Sequence, residues 1–119
     1  MQRHLRLRHR DDFGRLRKRG KVWRHRFLIV SVTPNQHSHN RYGFITSKQL
    51  GNAVVRNRTR RLLREAVRHV NPQLRTGYDV AFIARRSLVG QPYKAALEAV
   101  VRCLHDAELW ATTPGETSS

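Results

Sequence analysis

One stretch of the chain, residues 51–70 with the sequence GNAVVRNRTRRLLREAVRHV, most constrains how it can fold. Gly51 interrupts the preceding segment, and Asn52 suits the N-cap because its side-chain oxygen can accept a hydrogen bond from a free backbone N–H. Asn71-Pro72 ends the segment, since a proline disfavours helical geometry in the residue before it. Between these ends, apolar and small side chains recur at steps of three or four, which predicts an amphipathic helix. They are Val55, Thr59, Leu62, Leu63, Ala66, Val67 and Val70.

The rest of the surface of this helix is almost entirely guanidinium. Arg56, Arg60 and Arg64 follow one another at i,i+4, a spacing at which like charges destabilise a helix by about 0.2–0.5 kcal/mol per pair. Glu65 is the only acid in the segment. A helix that needed only a soluble face would mix the signs of its charges, so the pattern indicates a polyanionic partner. The alternative is a solvated, self-repelling basic face with no partner.

Composition limits the class of partner. A chain of 119 residues predicts one domain with one modest core. The net charge of +16 and the pI near 11.7 favour nucleic acid, with an anionic membrane surface second. No apolar run approaches the roughly 20 residues that span a bilayer, and the basic N-terminus lacks the apolar segment of a secretory signal. The single cysteine, Cys103, argues against a disulfide framework and a zinc finger, so we expect a cytoplasmic protein.

Three strands are predicted from runs of β-branched and aromatic residues, at 22–33, 41–47 and 78–85. The first two are expected to pair antiparallel. With the helices, this order predicts an α+β sandwich that has helices on one face of the sheet. The other face is expected to be open beside the basic helix.

The domain is predicted to span residues 1–110, with a basic arm at 1–10 and a disordered polar tail at 111–119. A short helix is expected to start at Asp11-Asp12, where the acidic side chains suit a helix N-terminus. The last helix is expected to start at Gln91-Pro92, with proline in the first helical position.

The segment 47–68, SKQLGNAVVRNRTRRLLREAVR, resembles the hallmark segment of the bacterial ribonuclease P protein subunit. Its core is Arg56-Asn57-Arg58, followed in fixed register by Arg60-Arg61-Leu62 and Arg64-Glu65. The similarity covers about residues 5–105. It includes the Asp-Asp-Phe opening, Arg26-Phe27, the strand around Gly43 and the strand of Asp79 that ends at Ala84-Arg85.

The resemblance implies a ribosomal-protein-S5-like α-β-β-β-α-β-α fold with a left-handed βαβ crossover through the central helix. It would therefore divide residues 22–47 into three strands. It also implies a monomer that pairs one-to-one with a large catalytic RNA and helps it remove the 5′ leader of precursor tRNA. The RNA and its bound Mg²⁺ would carry the chemistry, with no catalytic or metal-binding side chain on the protein.

The residues that match the family, together with the charge pattern, give two candidate sites. The basic helix would contact the catalytic RNA, and a cleft beside the sheet would hold the single-stranded leader. The RNA-binding candidates are Lys48, Asn52, Arg56, Asn57, Arg58, Arg60, Arg61, Arg64 and Arg68. The leader-binding candidates are Phe13, Arg17 and Arg26.

Three positions depart from the family pattern. Arg17 and Val30 stand where the family often has aromatic residues that would line the leader cleft, and Gln49 replaces a common lysine. The leader would then be held more by charge and less by stacking, which contributes about 1–3 kcal/mol per base in single-strand binders. Phe13 is either a base-stacking platform or a core anchor.

Two other classes of function compete with this interpretation. A structural RNA-binding protein, such as a ribosomal protein, would fit the charge equally well, whereas a DNA reader would usually show a helix-turn-helix pair or a dimer seam. A protein-only nuclease would need clustered carboxylates to hold metal ions. The acids are scattered instead, with Asp79 expected to stand alone in its strand. Cys103 is expected to be buried, and the serines lack a paired histidine and acid.

Overall fold

The computed structural model describes residues 20–111, which form a four-stranded sheet and two helices. The predicted N-terminal helix, the basic arm and residues 112–119 of the predicted tail lie outside this range. The elements are β1 (Lys21–Arg24), β2 (Leu28–Pro34), β3 (Arg41–Ile45), α1 (Ala53–Val70), β4 (Tyr78–Ala84) and α2 (Tyr93–Asp106). In the described range, no helix has the length and apolarity needed to cross a membrane.

The strand order in the sheet is β1-β2-β4-β3. The strands β1 and β2, and likewise β2 and β4, pair antiparallel, whereas β3 and β4 are parallel neighbours. The predicted antiparallel pairing of the first two strands is therefore wrong, because β4 lies between β2 and β3. Parallel strands need a long crossover, and α1 provides it as the βαβ unit that the family resemblance implies.

The prediction of one strand over 22–33 is also wrong, because the chain turns back at residues 25–27. The N–H of His25 donates to the carbonyl of Leu28 at 2.8 Å, and the N–H of Phe27 donates to Nδ1 of His25 at 3.0 Å. The turn pairs Arg24 with Ile29 and Lys21 with Val32. The turn contains neither glycine nor proline, so residue propensities do not predict it. The family resemblance does predict three strands before the central helix, and that prediction is confirmed.

The central helix closely matches its prediction. The chain enters through Gly51, whose φ of +141° is a conformation that side chains rarely allow. Asn52 is the N-cap and accepts a hydrogen bond from the N–H of Val55 at 3.0 Å. The helix ends at Val70, although Asn71 keeps helical dihedrals and begins a short 3₁₀ turn.

The core lies between one sheet face and the helices α1 and α2, so the prediction of helices on one face is confirmed for these two. Alternate side chains of β2 and β4 pack there against α1 and α2. The last helix begins one residue later than predicted, since Pro92 is its N-cap rather than its first helical residue. The core includes Leu28, Val30, Val32, Leu63, Val67, Val80, Phe82, Val100 and Leu104.

The sheet face that neither α1 nor α2 covers is only partly open. Register places Ser31, Ala81 and Gly43 side by side on this face, and all three are buried. The adjacent cross-strand row of Ile29, Ile83 and Ile45 is partly exposed. The prediction of an open face is therefore wrong for the row of small residues, which lies between rows of larger side chains.

Asp79 does not stand alone, as the sequence suggested, but pairs with its cross-strand neighbour Arg41. Its two carboxylate oxygens accept from Nε and Nη2 of Arg41, each at 2.8 Å, and Oδ1 also accepts from the amide of Asn35 at 2.9 Å. The Asn35 side chain in turn accepts from the N–H of His37 at 2.7 Å. This network joins the β2–β3 loop to the sheet.

Replacing Asp79 with alanine should lower the free energy of unfolding by roughly 3–5 kcal/mol, because it leaves the guanidinium of Arg41 without its carboxylate in a mostly buried place. Urea unfolding of the full chain measures the change. The matched control is Glu65→Ala, which breaks a solvent-exposed pair and should cost much less, because water screens exposed ion pairs. Equal losses in the two variants would contradict a structural role for the buried pair.

Candidate nucleic-acid interface

The first candidate surface is the basic face of α1, defined by Arg56, Arg58, Arg60, Arg61, Arg64 and Arg68. The apolar stripe of α1 is turned to the core, with Thr59, Leu63, Ala66, Val67 and Val70 buried. Arg58, Arg61 and Arg68 are exposed, whereas Arg56, Arg60 and Arg64 are partly buried along the sides of the stripe. The helix thus combines the core face and the guanidinium surface that its sequence predicts.

Arg60 is held in place by two side chains. Its Nη1 donates to Oδ1 of Asn57 at 2.8 Å, and its Nη2 donates to Oγ1 of Thr46 at 2.5 Å. Thr46 is buried and directly follows β3. Sequence reasoning assigned Asn57 to RNA and did not consider Thr46, since only the fold brings Thr46 to the helix. Asn57 instead uses its carbonyl oxygen within the protein.

Arg56 carries an unusual feature. Its Nε is buried, yet it has no hydrogen-bond partner in the structure of residues 20–111. An unsatisfied buried donor costs roughly 1–3 kcal/mol, and more when the group is charged. The Arg56 side chain as a whole is only partly buried, so the rest of the residue contributes to the surface of α1.

Arg68 differs from its neighbours because its charge is balanced. Its Nε and Nη2 donate to the two carboxylate oxygens of Glu65 at 2.8 and 3.0 Å. The hydrogen bond from Arg68 holds the pKa of Glu65 below its usual value. Arg68 is therefore a predicted RNA contact whose positive charge is already balanced by the carboxylate of Glu65.

Two further RNA-binding candidates lie at the N-terminal end of α1. Lys48 is exposed in the 3₁₀ turn Lys48–Leu50, ahead of the helix. The side-chain oxygen of Asn52 is occupied by its capping bond. The leader candidates Phe13 and Arg17 lie outside the described residues.

A second basic cluster lies at the edge of the sheet that is beside the N-terminal half of α1. Parallel β3 and β4 end at this edge, and the β1–β2 turn is beside them. The guanidinium of Arg85 donates to the carbonyl of His25 at 3.2 Å, and the hydroxyl of Ser87 donates to the carbonyl of Arg26. Exposed arginines therefore gather here from two segments distant in sequence. They are Arg24, Arg26, Arg85 and Arg86.

Sequence reasoning identified only Arg26 in this cluster. The sequence does show the Arg85-Arg86 pair directly after a predicted strand. That this pair lies beside Arg26 follows only from the antiparallel pairing of β2 with β4. Arg26 also lies over the ring of Phe27, with its Cζ 4.8 Å from the ring centroid. Val30 is fully buried on the helix-covered face, so the expectation that this position lines the leader cleft is wrong.

The described residues offer no obvious catalytic group. Within 20–111, no group of three or more histidine, cysteine and acidic side chains could hold a metal ion. Cys103 is buried as predicted, and its burial raises the pKa of the thiol to about 11. A thiol in that state is a poor nucleophile at neutral pH.

Comparison with known proteins decides the family. The profile of the family described as Ribonuclease P matches residues 1–108. The chain belongs to the ribonuclease P protein family. The Ribonuclease P protein component of Herpetosiphon aurantiacus is 44% identical over 110 residues, which cover 92% of this chain and 89% of that protein. That of Roseiflexus castenholzii is 42% identical over 104 residues, which cover 87% and 85%.

Solved structures of ribonuclease P proteins share the fold. The Staphylococcus aureus RNase P protein, solved as a mutant with defective mRNA degradation activity, superposes with a TM-score of 0.84 at 28% identity. That match covers 90% of this chain and 91% of the other. The Thermotoga maritima RNase P protein gives a TM-score of 0.79 at 27% identity, covering 85% and 96%. As a family member, this chain is an accessory protein component of ribonuclease P, the endonuclease that matures the 5′ end of tRNA.

Thr46→Val should reduce the free energy of unfolding by about 1–2 kcal/mol, because it removes an acceptor from the partly buried guanidinium of Arg60. Thr46→Ser keeps the hydroxyl and is the matched control, so it should recover most of the loss. Thermal or urea unfolding gives both values. A serine variant as unstable as the valine variant would mean that the methyl group, not the hydrogen bond, matters.

The thiol of Cys103 should resist iodoacetamide in the folded protein at pH 8. With a pKa of about 11 the thiolate fraction is small there, and it should increase as the pH rises toward that value. Mass spectrometry before and after addition of urea measures the modification. Rapid alkylation of the native chain at pH 8 would contradict the buried, protonated thiol.

Proposed function

We propose that the basic face of α1 binds phosphates of the catalytic RNA of ribonuclease P. The observation that carries the proposal is the guanidinium surface of α1, on which Arg58 and Arg61 are exposed and Arg60 is held only by neutral acceptors. A guanidinium in this state favours an external anion, and phosphate accepts two parallel hydrogen bonds from arginine. Lys48, Asn52, Arg56, Asn57, Arg64 and Arg68 complete the proposed surface.

The anchoring of Arg60 supports a role in shape recognition. Folded RNA is recognised mainly by shape and by phosphate and 2′-hydroxyl contacts. A guanidinium already fixed by Thr46 and Asn57 loses less conformational freedom when it binds. The fixed position of the Arg60 guanidinium thus favours contacts with phosphates at defined positions over non-specific electrostatic attraction.

The second basic cluster is the proposed site for the single-stranded 5′ leader of precursor tRNA. Arg26 was the candidate from sequence, and Arg24, Arg85 and Arg86 extend it along the same sheet edge. Phe13 and Arg17 remain candidates for this site from the family pattern. The two hydrogen bonds that join the segments of this cluster are accepted by the backbone carbonyls of His25 and Arg26. Neither bond uses the guanidinium of Arg26, which therefore keeps its charge for an anion.

The chemistry is assigned to the RNA in this proposal. Mg²⁺ would be bound mainly by RNA phosphates, and the protein would act as a monomer in a one-to-one complex with the RNA in the cytoplasm. The protein's contribution is phosphate neutralisation, which lets the RNA fold and hold its substrate at a lower Mg²⁺ concentration.

The direct experiment adds the purified full chain to a bacterial ribonuclease P RNA at low Mg²⁺ and follows leader removal from precursor tRNA. Stimulation that requires the RNA supports the proposal. Leader removal by the protein without any RNA would overturn the assignment of the chemistry. Binding to ribosomes without stimulation would support the structural RNA-binding alternative.

Charge reversal tests the basic face of α1. Arg60→Glu/Arg64→Glu should weaken assembly with the RNA and make the salt dependence less steep, since each phosphate contact on a duplex contributes about −0.9 to the slope of log K against log salt. Filter binding over a range of salt concentrations measures both quantities.

The matched control is Lys94→Glu/Arg102→Glu, which makes the same change in net charge on exposed positions of α2. It should leave the slope nearly unchanged. Equal effects of the two double variants would show that the RNA responds to the total charge of the protein, and not to this helix.

A further inference from the structure

An aromatic cavity of about 710 Å³ lies at the opposite end of the sheet from the second basic cluster. It opens where β2 ends and β4 begins, and Pro34 and Tyr78 line it there. The basic edge is at the other end of β4, which at about 3.3 Å per residue is roughly 20 Å away. The volume falls within the roughly 300–1,000 Å³ that small-molecule sites occupy.

Both tryptophans of the chain, Trp23 and Trp110, line this cavity. The ring of His105 stacks on Trp110, with centroids 4.5 Å apart and planes inclined by 17°. Both tryptophans are only partly buried, although each packs against the core. Partly exposed indole rings that face a cavity are the usual platform for an unstacked nucleic-acid base.

The wall that carries Trp110 is fixed by backbone pairing. Leu74 and Trp110 form an antiparallel bridge, and hydrogen bonds flank it on both sides. The N–H of Arg75 donates to the carbonyl of Leu109 at 2.7 Å, and the N–H of Ala111 donates to the carbonyl of Gln73 at 2.9 Å. The aromatic platform is therefore largely formed before any ligand arrives.

Charges of both signs line the cavity. Lys21 and Arg75 supply cations, which suit a phosphate, and Asp106 and Glu108 supply carboxylates. Asp106 is 3.5 Å from the guanidinium of Arg102, so part of its charge is balanced. A carboxylate accepts two parallel hydrogen bonds, and guanine presents two adjacent donors, N1–H and N2–H, on its Watson–Crick edge.

Glu108 is strained where it stands. Its φ of +59° is in the left-handed region, which glycine normally occupies after a helix. A bulky acidic residue there costs stability relative to glycine, and such strain often marks a functional position. Glu108 thus lines the cavity despite an unfavourable backbone conformation.

We propose that this cavity binds an unpaired guanosine nucleotide of RNA. The base would stack on the Trp110–His105 pair, Glu108 would accept hydrogen bonds from its Watson–Crick edge, and Lys21 and Arg75 would face its phosphates. The site is separate from the basic face of α1 and from the second basic cluster, so it does not depend on the function proposed for either.

Intrinsic fluorescence tests the site directly, because both tryptophans line the cavity. The full chain is titrated with a short oligouridine that carries one central guanosine, and with the same oligomer carrying adenosine. We expect saturable quenching, with the guanosine oligomer binding about tenfold or more tightly. Equal quenching by both oligomers, or none by either, would overturn the proposal.

Variants locate the effect. Trp110→Ala should weaken guanosine binding by about 5- to 150-fold, as expected for the loss of one stacking platform. Glu108→Gln should remove the preference for guanosine over adenosine. Glu98→Gln, which changes an exposed carboxylate of α2 that does not line the cavity, should retain it. A preference that survives Glu108→Gln would overturn the assigned role.

Glu108→Gly separates folding from recognition. It relieves the left-handed strain, so its melting temperature should rise while the preference for guanosine is lost. A lower melting temperature with the preference intact would contradict both parts of the argument.

Two further arms identify the ligand and the surface. Guanosine monophosphate alone should quench more weakly than the oligomer, because it lacks the neighbouring phosphates, and equal affinity would point to a free nucleotide instead of RNA. Arg60→Glu/Arg64→Glu should weaken the binding of both oligomers alike and keep the ratio of their affinities, and loss of that ratio would place guanosine recognition on the basic face. If tryptophan fluorescence is quenched as the protein concentration rises in the absence of RNA, a second copy of the chain fills the cavity and the proposal is wrong.

Discussion

The parallel pairing of β3 with β4 determines where the two basic surfaces of residues 20–111 lie. Because the two strands point the same way, α1 must leave the end of β3 and cross the sheet to reach the start of β4. The N-terminal half of α1 is thereby kept beside the edge at which β3 and β4 end. That is the edge at which the β1–β2 turn adds Arg24 and Arg26. A single crossover thus brings the N-terminal part of the basic face of α1 and the second basic cluster to the same end of the sheet.

Such a concentration of positive charge opposes folding, and the structure shows how it is accommodated. Arg41 and Asp79 form the buried ion pair of the β3–β4 ladder, and Arg68 and Glu65 form an exposed pair on α1. Arg60, in contrast, is oriented by neutral acceptors, Thr46 and Asn57, which fix its position without reducing its charge. A neutral anchor is the appropriate device for a cation that must still attract an anion.

Sequence reasoning succeeded where the signal is local. The span of α1, its Asn52 cap and its division into a core face and a basic face follow from periodicity, because a helix makes its contacts at i+3 and i+4. It failed where the outcome depends on partners distant in the chain. The turn at His25 contains no glycine or proline from which it could be predicted. The contact of Thr46 with Arg60 exists only because α1 passes over the end of β3. The family resemblance corrected the strand count, since it carries fold information that propensity lacks, but it did not identify the partner of Asp79 or the burial of Val30.

The distribution of aromatic residues separates the two kinds of RNA contact proposed for this protein. The basic face of α1 presents guanidinium groups but no aromatic ring, so it can read phosphate positions and little else. The aromatic cavity is the opposite case, with mixed charges that contribute almost no net field and with stacked rings held by the Leu74–Trp110 bridge. A nucleic-acid partner attracted by the long-range field of the arginines would be oriented by that field only weakly, since it falls off within about 10 Å at ordinary salt. A short-range base contact roughly 20 Å from the basic edge would fix the remaining rotation, because two separated points of contact define an orientation that one charged surface cannot.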